Sequence, residues 1–267
     1  MLRLLSARSY RNVLADTSSD VDLFALPRIA HEEFNFRGVC LTTDLLAGAD
    51  ERLLNALRES ADKAGCPTLS LIEPRPLALA SRREGLASAA VDRLLRIVHA
   101  ARTLGCSTLT IGIAPPKDGA KPEDVIALLA PRLRQGVSSA ERAELNLLLT
   151  PTDAMFADPA IIAATLKKVG GFRVGSTPDF EATAKAPDPC EFLRQLTPYA
   201  SCVVASSFEF TRAGRHKTYD IPKFLRTLRD LGYNGALVVE YRGDGDPSIG
   251  VRKTLALIDA IEAEDAS

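Results

Sequence analysis

One pattern constrains this chain more than any other. A short apolar run is followed by a stretch of helical periodicity, then a glycine, then the next apolar run. "FRGVCLT" (36–42) leads to a helical segment over about 50–64, where Leu53, Leu54, Leu57 and Ala61 recur on one face. Gly65 then stands where a helix ends in the left-handed conformation, and "CPTLSLIE" (66–73) follows. The next unit repeats this in detail: "KAGCPTLSLIE" and "TLGCSTLTIGI" each read as helix end, Gly, Cys, strand.

Followed to the end, the pattern predicts eight strands, at about 2–6, 37–42, 67–72, 107–113, 145–149, 172–177, 202–207 and 235–240. The helices after them fall near 86–104, 122–135, within "DPAIIAATLKKVGG" and "DPCEFLRQLTPYA", in "DIPKFLRTLRDLG" and at 248–263. Asp220 is placed to cap the start of its helix, and Gly105, Gly170 or Gly171, and Gly232 to cap ends. Glu123 and Asp124 suit the positive end of a helix dipole. Most strands are apolar throughout rather than alternating, as parallel strands covered on both faces must be. Eight such units in 267 residues predict a single-domain (β/α)8 barrel spanning 1–267. A doubly wound open sheet is the competing architecture, but no G-x-G-x-x-G follows the first strand.

Composition removes several function classes. The formal net charge is −1, which gives no electrostatic footprint for nucleic acid or an anionic membrane. No apolar run reaches the roughly 18 residues of a membrane span. The five cysteines (Cys40, Cys66, Cys106, Cys190 and Cys202) are scattered and form no C-x-x-C pair, so a disulfide framework or structural zinc site is not expected. Three of them sit in apolar strand-like segments and read as small buried hydrophobes, which fits a reducing cytoplasm. The N-terminal Arg3, Arg8 and Arg11 carry a faint likeness to a transit peptide. The barrel instead needs Leu2 to Ser6 as its first strand, with a polar loop after it.

In such a barrel, chemistry sits at the C-terminal strand ends. That rule selects Arg8, Tyr10, Thr42, Asp44, Glu73, Arg75, Lys117, Asp118, Thr150, Asp153, Thr177, Asp179, Ser206, Glu209, Glu240 and Arg242. Glu240 ends an otherwise apolar run in "LGYNGALVVEYRG". Glu73, in "IEPRP", has two readings: a structural ion pair with Arg75, or an acid/base group facing the mouth. His31 and His99 read as solvent-facing. His216 lies in the loop after strand seven with Arg212, Arg215 and Lys217, a cluster suited to phosphate or carboxylate, or simply a solvated basic loop. No G-x-S-x-G, P-loop or H-E-x-x-H pattern is present.

The tail "YDIPKFLRTLRDLGYNGALVVEYRGD" resembles the last βα unit of the sugar-phosphate isomerase/epimerase proteins, the xylose isomerase-like TIM barrels. "HEEFNFRGVCLT" and "AARTLGCSTLTI" resemble earlier segments of that family more weakly. The resemblance implies a sugar or sugar phosphate as ligand and a divalent cation (Mn²⁺, Mg²⁺ or Zn²⁺) held at the strand ends. The cation would polarise the sugar while acid/base groups move a proton between neighbouring carbons. It implies a Glu after strand five, an Asp and a His after strand six, a His after strand seven and a Glu after strand eight.

This chain has Thr150 at the first of these positions, Thr177 and Phe180 at the next two, and Ser206 or Ser207 at the fourth. Cys40 stands where the family commonly has a Glu, and only Glu240 is retained. The divalent ligand set is thus incomplete, with Asp179 and Glu209 adjacent to the vacated positions. The site expected from the sequence therefore comprises Glu240, Glu73 and His216 as acid/base candidates. Arg242, Asp179, Glu209, Lys217 and Arg215 are the candidates for holding substrate, and Glu240 the one metal ligand. Two readings stand open: an isomerase or epimerase acting at the barrel mouth, or a non-catalytic member binding a sugar-like ligand or a protein partner. No oligomeric state is implied.

Overall fold

A computed structural model describes residues 1–16, 18–115, 120–152 and 154–264. The strand-end candidates Lys117, Asp118 and Asp153 lie outside the described residues. Eight parallel strands form one sheet: β1 (Leu2–Ser6), β2 (Val39–Thr42), β3 (Thr68–Ile72), β4 (Thr108–Ile111), β5 (Asn146–Leu149), β6 (Val174–Ser176), β7 (Cys202–Ser207) and β8 (Ala236–Tyr241). Each begins and ends within two residues of its sequence-based expectation. Their order is β6-β5-β4-β3-β2-β1-β8-β7, so β1 pairs with both β2 and β8 and the sheet curls on itself. β6 and β7 meet at two isolated bridges, Ser176 to Ala200 and Asp179 to Val204, and the Val204 N–H donates to Pro178 O at 2.9 Å. This short seam closes the barrel.

The helices are α1 (Arg11–Ala15), α2 (Leu26–Phe34), α3 (Glu51–Lys63), α4 (Glu84–Leu104), α5 (Pro122–Arg142), α6 (Pro159–Val169), α7 (Phe180–Lys185), α8 (Pro189–Leu196), α9 (Ile221–Asp230) and α10 (Pro247–Ala263). The expected caps are present. Asp220 accepts from Lys223 N at 3.0 Å, and Gly105 takes φ +80° to end α4.

Three local features depart from expectation. α5 continues past Gln135 to Arg142, because Gly136 lets its backbone close on the Leu94 side chain of α4 and that burial outweighs glycine's weak helix propensity. α7 forms where none was expected, on the N-cap supplied by Asp179. The segment after β1 is a 3₁₀ turn (Ala7–Tyr10) followed by α1 rather than a loop.

Strand periodicity divides the core in two. Outward residues such as Leu5, Leu41, Leu109, Leu147, Val203 and Val239 pack under the helices. Residues one position away fill the barrel interior, where Leu4, Cys40, Leu148, Cys202, Val204 and Val238 form a separate apolar cluster. One step further toward the C-terminal ends, the inward set turns polar: Ser6, Thr42, Thr110, Thr150, Ser206 and Glu240. The period of two therefore places Glu240 directly above Val238, pointing inward at the barrel mouth.

Arg3 ties β1 to α10 through Asp259 (2.6 Å) and Glu262 (2.5 Å). His31 is half-buried in α2 rather than solvent-facing, with Nδ1 shut away from water, while His99 is exposed as expected.

Candidate functional site

Glu240 is 1 % exposed, so its charge must be met inside the protein. Ser6 Oγ donates to Oε2 at 2.6 Å, Arg242 Nε donates to Oε1 at 2.6 Å, and Arg8 Nη1 lies 3.7 Å from Oε1. Burial works to raise the Glu240 pKa. Arg242, then Arg8 and the Ser6 hydroxyl, outweigh it and hold the carboxyl below its ordinary range. Arg8 is half-buried on the turn after β1, next to Ser6 on a strand that pairs with β8, so the two ends meet.

Arg242 is the hub. Its Nη2 donates to Asp179 Oδ2 at 2.5 Å, and its Nη1 to Glu181 Oε2 at 2.6 Å and to Asp179 Oδ1 at 3.2 Å. One guanidinium thus engages three carboxylates, a geometry its planar fork suits. Burial would lower its pKa, but Asp179 and Glu240 drive it well above the ordinary value. Asp179 is also the N-cap of α7, accepting from Glu181 N (2.8 Å), Ala182 N (3.3 Å) and Ser206 Oγ (3.1 Å). Ser206 Oγ in turn accepts from Glu181 N at 2.9 Å, and Tyr219 OH donates to Ser206 O at 2.8 Å. Glu181 receives Lys185 Nζ at 2.7 Å. Its pKa, pushed up by burial, is brought below the ordinary value by Lys185 and Arg242. Three carboxylates are balanced by Arg242, Arg8 and Lys185.

Beside this cluster the barrel mouth opens into a cavity of about 390 Å³, bordered by Arg8, Glu73, Thr110, Thr150, Lys185 and the Arg242 cluster. Glu73 reaches its rim but is already paired. Arg93 of α4 donates to Oε2 through Nε (2.9 Å) and Nη2 (2.7 Å), while Arg75 contributes only its backbone N–H, at 3.1 Å. The ion pair read for Glu73 exists with a different arginine, one that lies twenty residues on in sequence.

The structure brings together Glu240, Arg242, Asp179 and, across the cavity, Glu73. It does not bring in His216, Glu209, Lys217 or Arg215, none of which borders the mouth cavity. Phe208 N donates to His216 Nε2 at 2.8 Å, and Nδ1 lies 3.2 Å from both the N–H and the carbonyl oxygen of Tyr219. The ring packs on Tyr219 with centroids 4.1 Å apart, and burial lowers its pKa. His216 in this form braces its loop. Glu209 and Lys217 pair with each other at 2.6 Å on the loop surface, and Arg215 is exposed beside them. Sequence reasoning missed Arg93, Glu181, Lys185 and Tyr219. Glu181 and Lys185 carried one usable signal, the i,i+4 acid–base spacing that starts right after Asp179.

A divalent ion does not fit this donor set. Mg²⁺ takes oxygens at about 2.0–2.1 Å in an octahedron. Here the oxygens of Glu240, Asp179 and Glu181 are already taken by the Arg242 guanidinium, the Ser6 and Ser206 hydroxyls, the Lys185 ammonium and the backbone N–H groups of α7. Of the vacated positions, Thr177 bonds Thr110 (Oγ1 to Oγ1, 2.9 Å), and Phe180 is fully buried edge-on to Phe224 at 5.4 Å. Among the described residues no group of three His, Cys, Asp or Glu is placed to hold a metal.

Compared with known families, residues 30–261 match the xylose isomerase-like TIM barrel. The chain belongs to that family. Several proteins of known structure superpose along nearly the whole chain. An L-ribulose 3-epimerase aligns with a TM-score of 0.80 at 14% identity, covering 99% of this chain and 96% of the other. The 3-keto-D-glucoside 4-epimerase of E. coli gives 0.77 at 15%, covering 97% and 99%. The D-psicose 3-epimerase of Clostridium cellulolyticum H10, solved with D-tagatose, gives 0.77 at 13%, covering 98% and 99%. At such identities the likeness is one of fold. No curated protein sequence is recognisably similar to the chain. Among the described residues no helix is long and apolar enough to cross a membrane.

Proposed function

We propose that this xylose isomerase-like barrel binds a small polyhydroxylated molecule, a sugar or sugar phosphate, in the mouth cavity, and does so without metal-dependent isomerisation. The observation that carries this reading is the engagement of Glu240, Asp179 and Glu181 by the single Arg242 guanidinium. Moving a proton between sugar carbons needs a free base near the operating pH and an electrophile at the oxygen. Glu240 is buried, triply contacted and held below its ordinary pKa, which makes it a weak base at neutral pH. Glu73 is held by Arg93. The cavity of about 390 Å³ falls in the range of small-molecule sites. Its border sets Arg8, Glu73, Thr110, Thr150 and Lys185 among prolines and alanines, which suits a ligand carrying hydroxyls on a carbon frame.

A second reading, turnover of the same ligand, is favoured by the epimerases among the similar structures. One experiment separates the two. Ketopentoses, ketohexoses and their phosphates are titrated by calorimetry with and without EDTA, and each binder is then incubated in D₂O and followed by proton NMR. Binding that EDTA leaves unchanged, with no deuterium entering the sugar, is expected. Deuterium uptake in EDTA would select metal-free turnover. Turnover that requires added Mn²⁺, or no binding by any sugar, would overturn the proposal.

A further inference from the structure

We propose that the sugar taken at the barrel mouth is an acidic one, and that Arg8 holds its carboxylate or phosphate, with Lys185 as a second donor. This rests on the mouth cavity being a sugar site and names the kind of sugar it prefers. Four carboxylates border the cavity: Glu73, Asp179, Glu181 and Glu240. Every one of their oxygens already accepts a hydrogen bond from the protein. Glu73 Oε1 takes the Arg75 N–H, and Oε2 takes Arg93. Asp179 Oδ1 takes two N–H groups of α7, and Oδ2 takes Arg242. Lys185 and Arg242 divide the oxygens of Glu181, and Ser6 and Arg242 those of Glu240.

The donors are not engaged to the same degree. Arg8 borders the cavity with its side chain 38 % exposed. Its one charge contact is Nη1 at 3.7 Å from Glu240 Oε1, beyond hydrogen-bond reach. Among the described residues, therefore, none of the five N–H donors of this guanidinium is hydrogen-bonded. Lys185 Nζ gives one hydrogen bond, to Glu181, of the three an ammonium can give. A ligand entering the mouth thus meets unbonded donors on Arg8 and Lys185, while the acids beside them are occupied. A carboxylate or phosphate supplies paired acceptor oxygens that match the planar fork, with bonds roughly twice as strong as those of a neutral hydroxyl. The competing explanation is that Arg8 only offsets the charge of Glu240. Ser6 and Arg242 already meet both Glu240 oxygens at 2.6 Å. An offsetting charge would also treat all ligands alike, whereas a ligand-holding arginine discriminates by charge.

The test is calorimetric titration of the native protein and Arg8→Gln. The ligands are D-fructose, D-psicose and D-tagatose, their 6-phosphates, and the keto acids D-fructuronate and D-tagaturonate. At least one acidic sugar is expected to bind the native protein about tenfold or more tightly than its neutral counterpart. Arg8→Gln should remove most of that difference. Arg215→Gln, exposed and away from the cavity, should retain it. The phosphate and keto-acid arms identify which anion is held. If Arg8→Gln does not fold, Arg8→Lys takes its place, keeping the charge without the fork, and should lose part of the difference. Equal affinity of neutral and acidic sugars for the native protein overturns this proposal alone. So does a preference that survives intact in the Arg8 variant, or an equal weakening of neutral and acidic ligands by it. Binding by none of the sugars overturns the sugar-site reading and this proposal together.

Discussion

Replacing Glu240 by Ala removes the one acid that β8 aims into the mouth, and the structure sets the size of the effect. The carboxylate is 1 % exposed and contacts Ser6, Arg242 and Arg8. Breaking a buried ion pair by deleting one partner costs about 3–5 kcal/mol, chiefly because the surviving charge is stranded. Arg242 is not fully stranded, since Asp179 and Glu181 remain within 2.6 Å. The loss therefore falls at the lower end, about 3 kcal/mol, part of it the Ser6 hydroxyl left without its acceptor. For a chain of this length that is a fall in Tm of about 6–12 °C.

Glu240→Gln keeps the shape and one acceptor oxygen but not the charge, and is expected to lose about half as much. Urea unfolding followed by circular dichroism measures both variants. The expected signature is a lower midpoint with an unchanged slope. A Glu240→Ala protein within about 0.5 kcal/mol of the native one would refute the reasoning, because the buried charge would then be compensated elsewhere.

The acid limb of the stability curve follows from the same groups. Glu240 and Glu181 have folded pKa values below the ordinary 4.5, so near that pH the unfolded chain binds more protons than the folded one. Their contribution is complete above the ordinary value and is lost as pH falls through the folded values. Urea midpoints measured from about pH 7 downward should be flat to near pH 5 and then drop, less steeply in Glu240→Gln. Gly250→Ala would put a methyl group 2.3 Å from Tyr241 Cγ, against the ring next to Glu240, and should cost about 1–3 kcal/mol in urea unfolding. Gly85→Ala on α4 meets nothing within 4 Å and should instead stabilise by about 0.5–1 kcal/mol. Of the five free thiols only Cys190 is not buried, and burial pushes Cys106 and Cys202 up to about 12. Ellman's reagent at about pH 8 should titrate one thiol quickly in the native protein and five in denaturant.

The barrel was legible because its determinants are local. Each strand is a short apolar run and each helix a stripe with a cap, and Gly65, Gly105, Gly170 and Gly232 all take positive φ at helix ends. Glu240 was legible for the same reason, as a charge at the C-terminal end of an apolar strand. α7 was missed because six residues carry too little periodicity to be seen. The loop after β7 differs in another way. Its basic residues look like an anion site when counted along the chain, whereas in space Lys217 is spent on Glu209 and His216 on the backbone of its own loop.

What the sequence determined by itself was the eightfold order of strands and helices and the position of each acid along them. What only the tertiary structure decided was the pairing: Glu73 with Arg93 rather than Arg75, and Glu240 with Ser6 from the opposite end of the chain. It also decided the meeting of Arg242 with Asp179, some sixty residues away, over the barrel seam. Periodicity is a property of neighbours a few residues apart. Charge compensation in a buried mouth depends on distances of a few ångströms between strands that are remote in sequence, and those distances exist only once the barrel has closed.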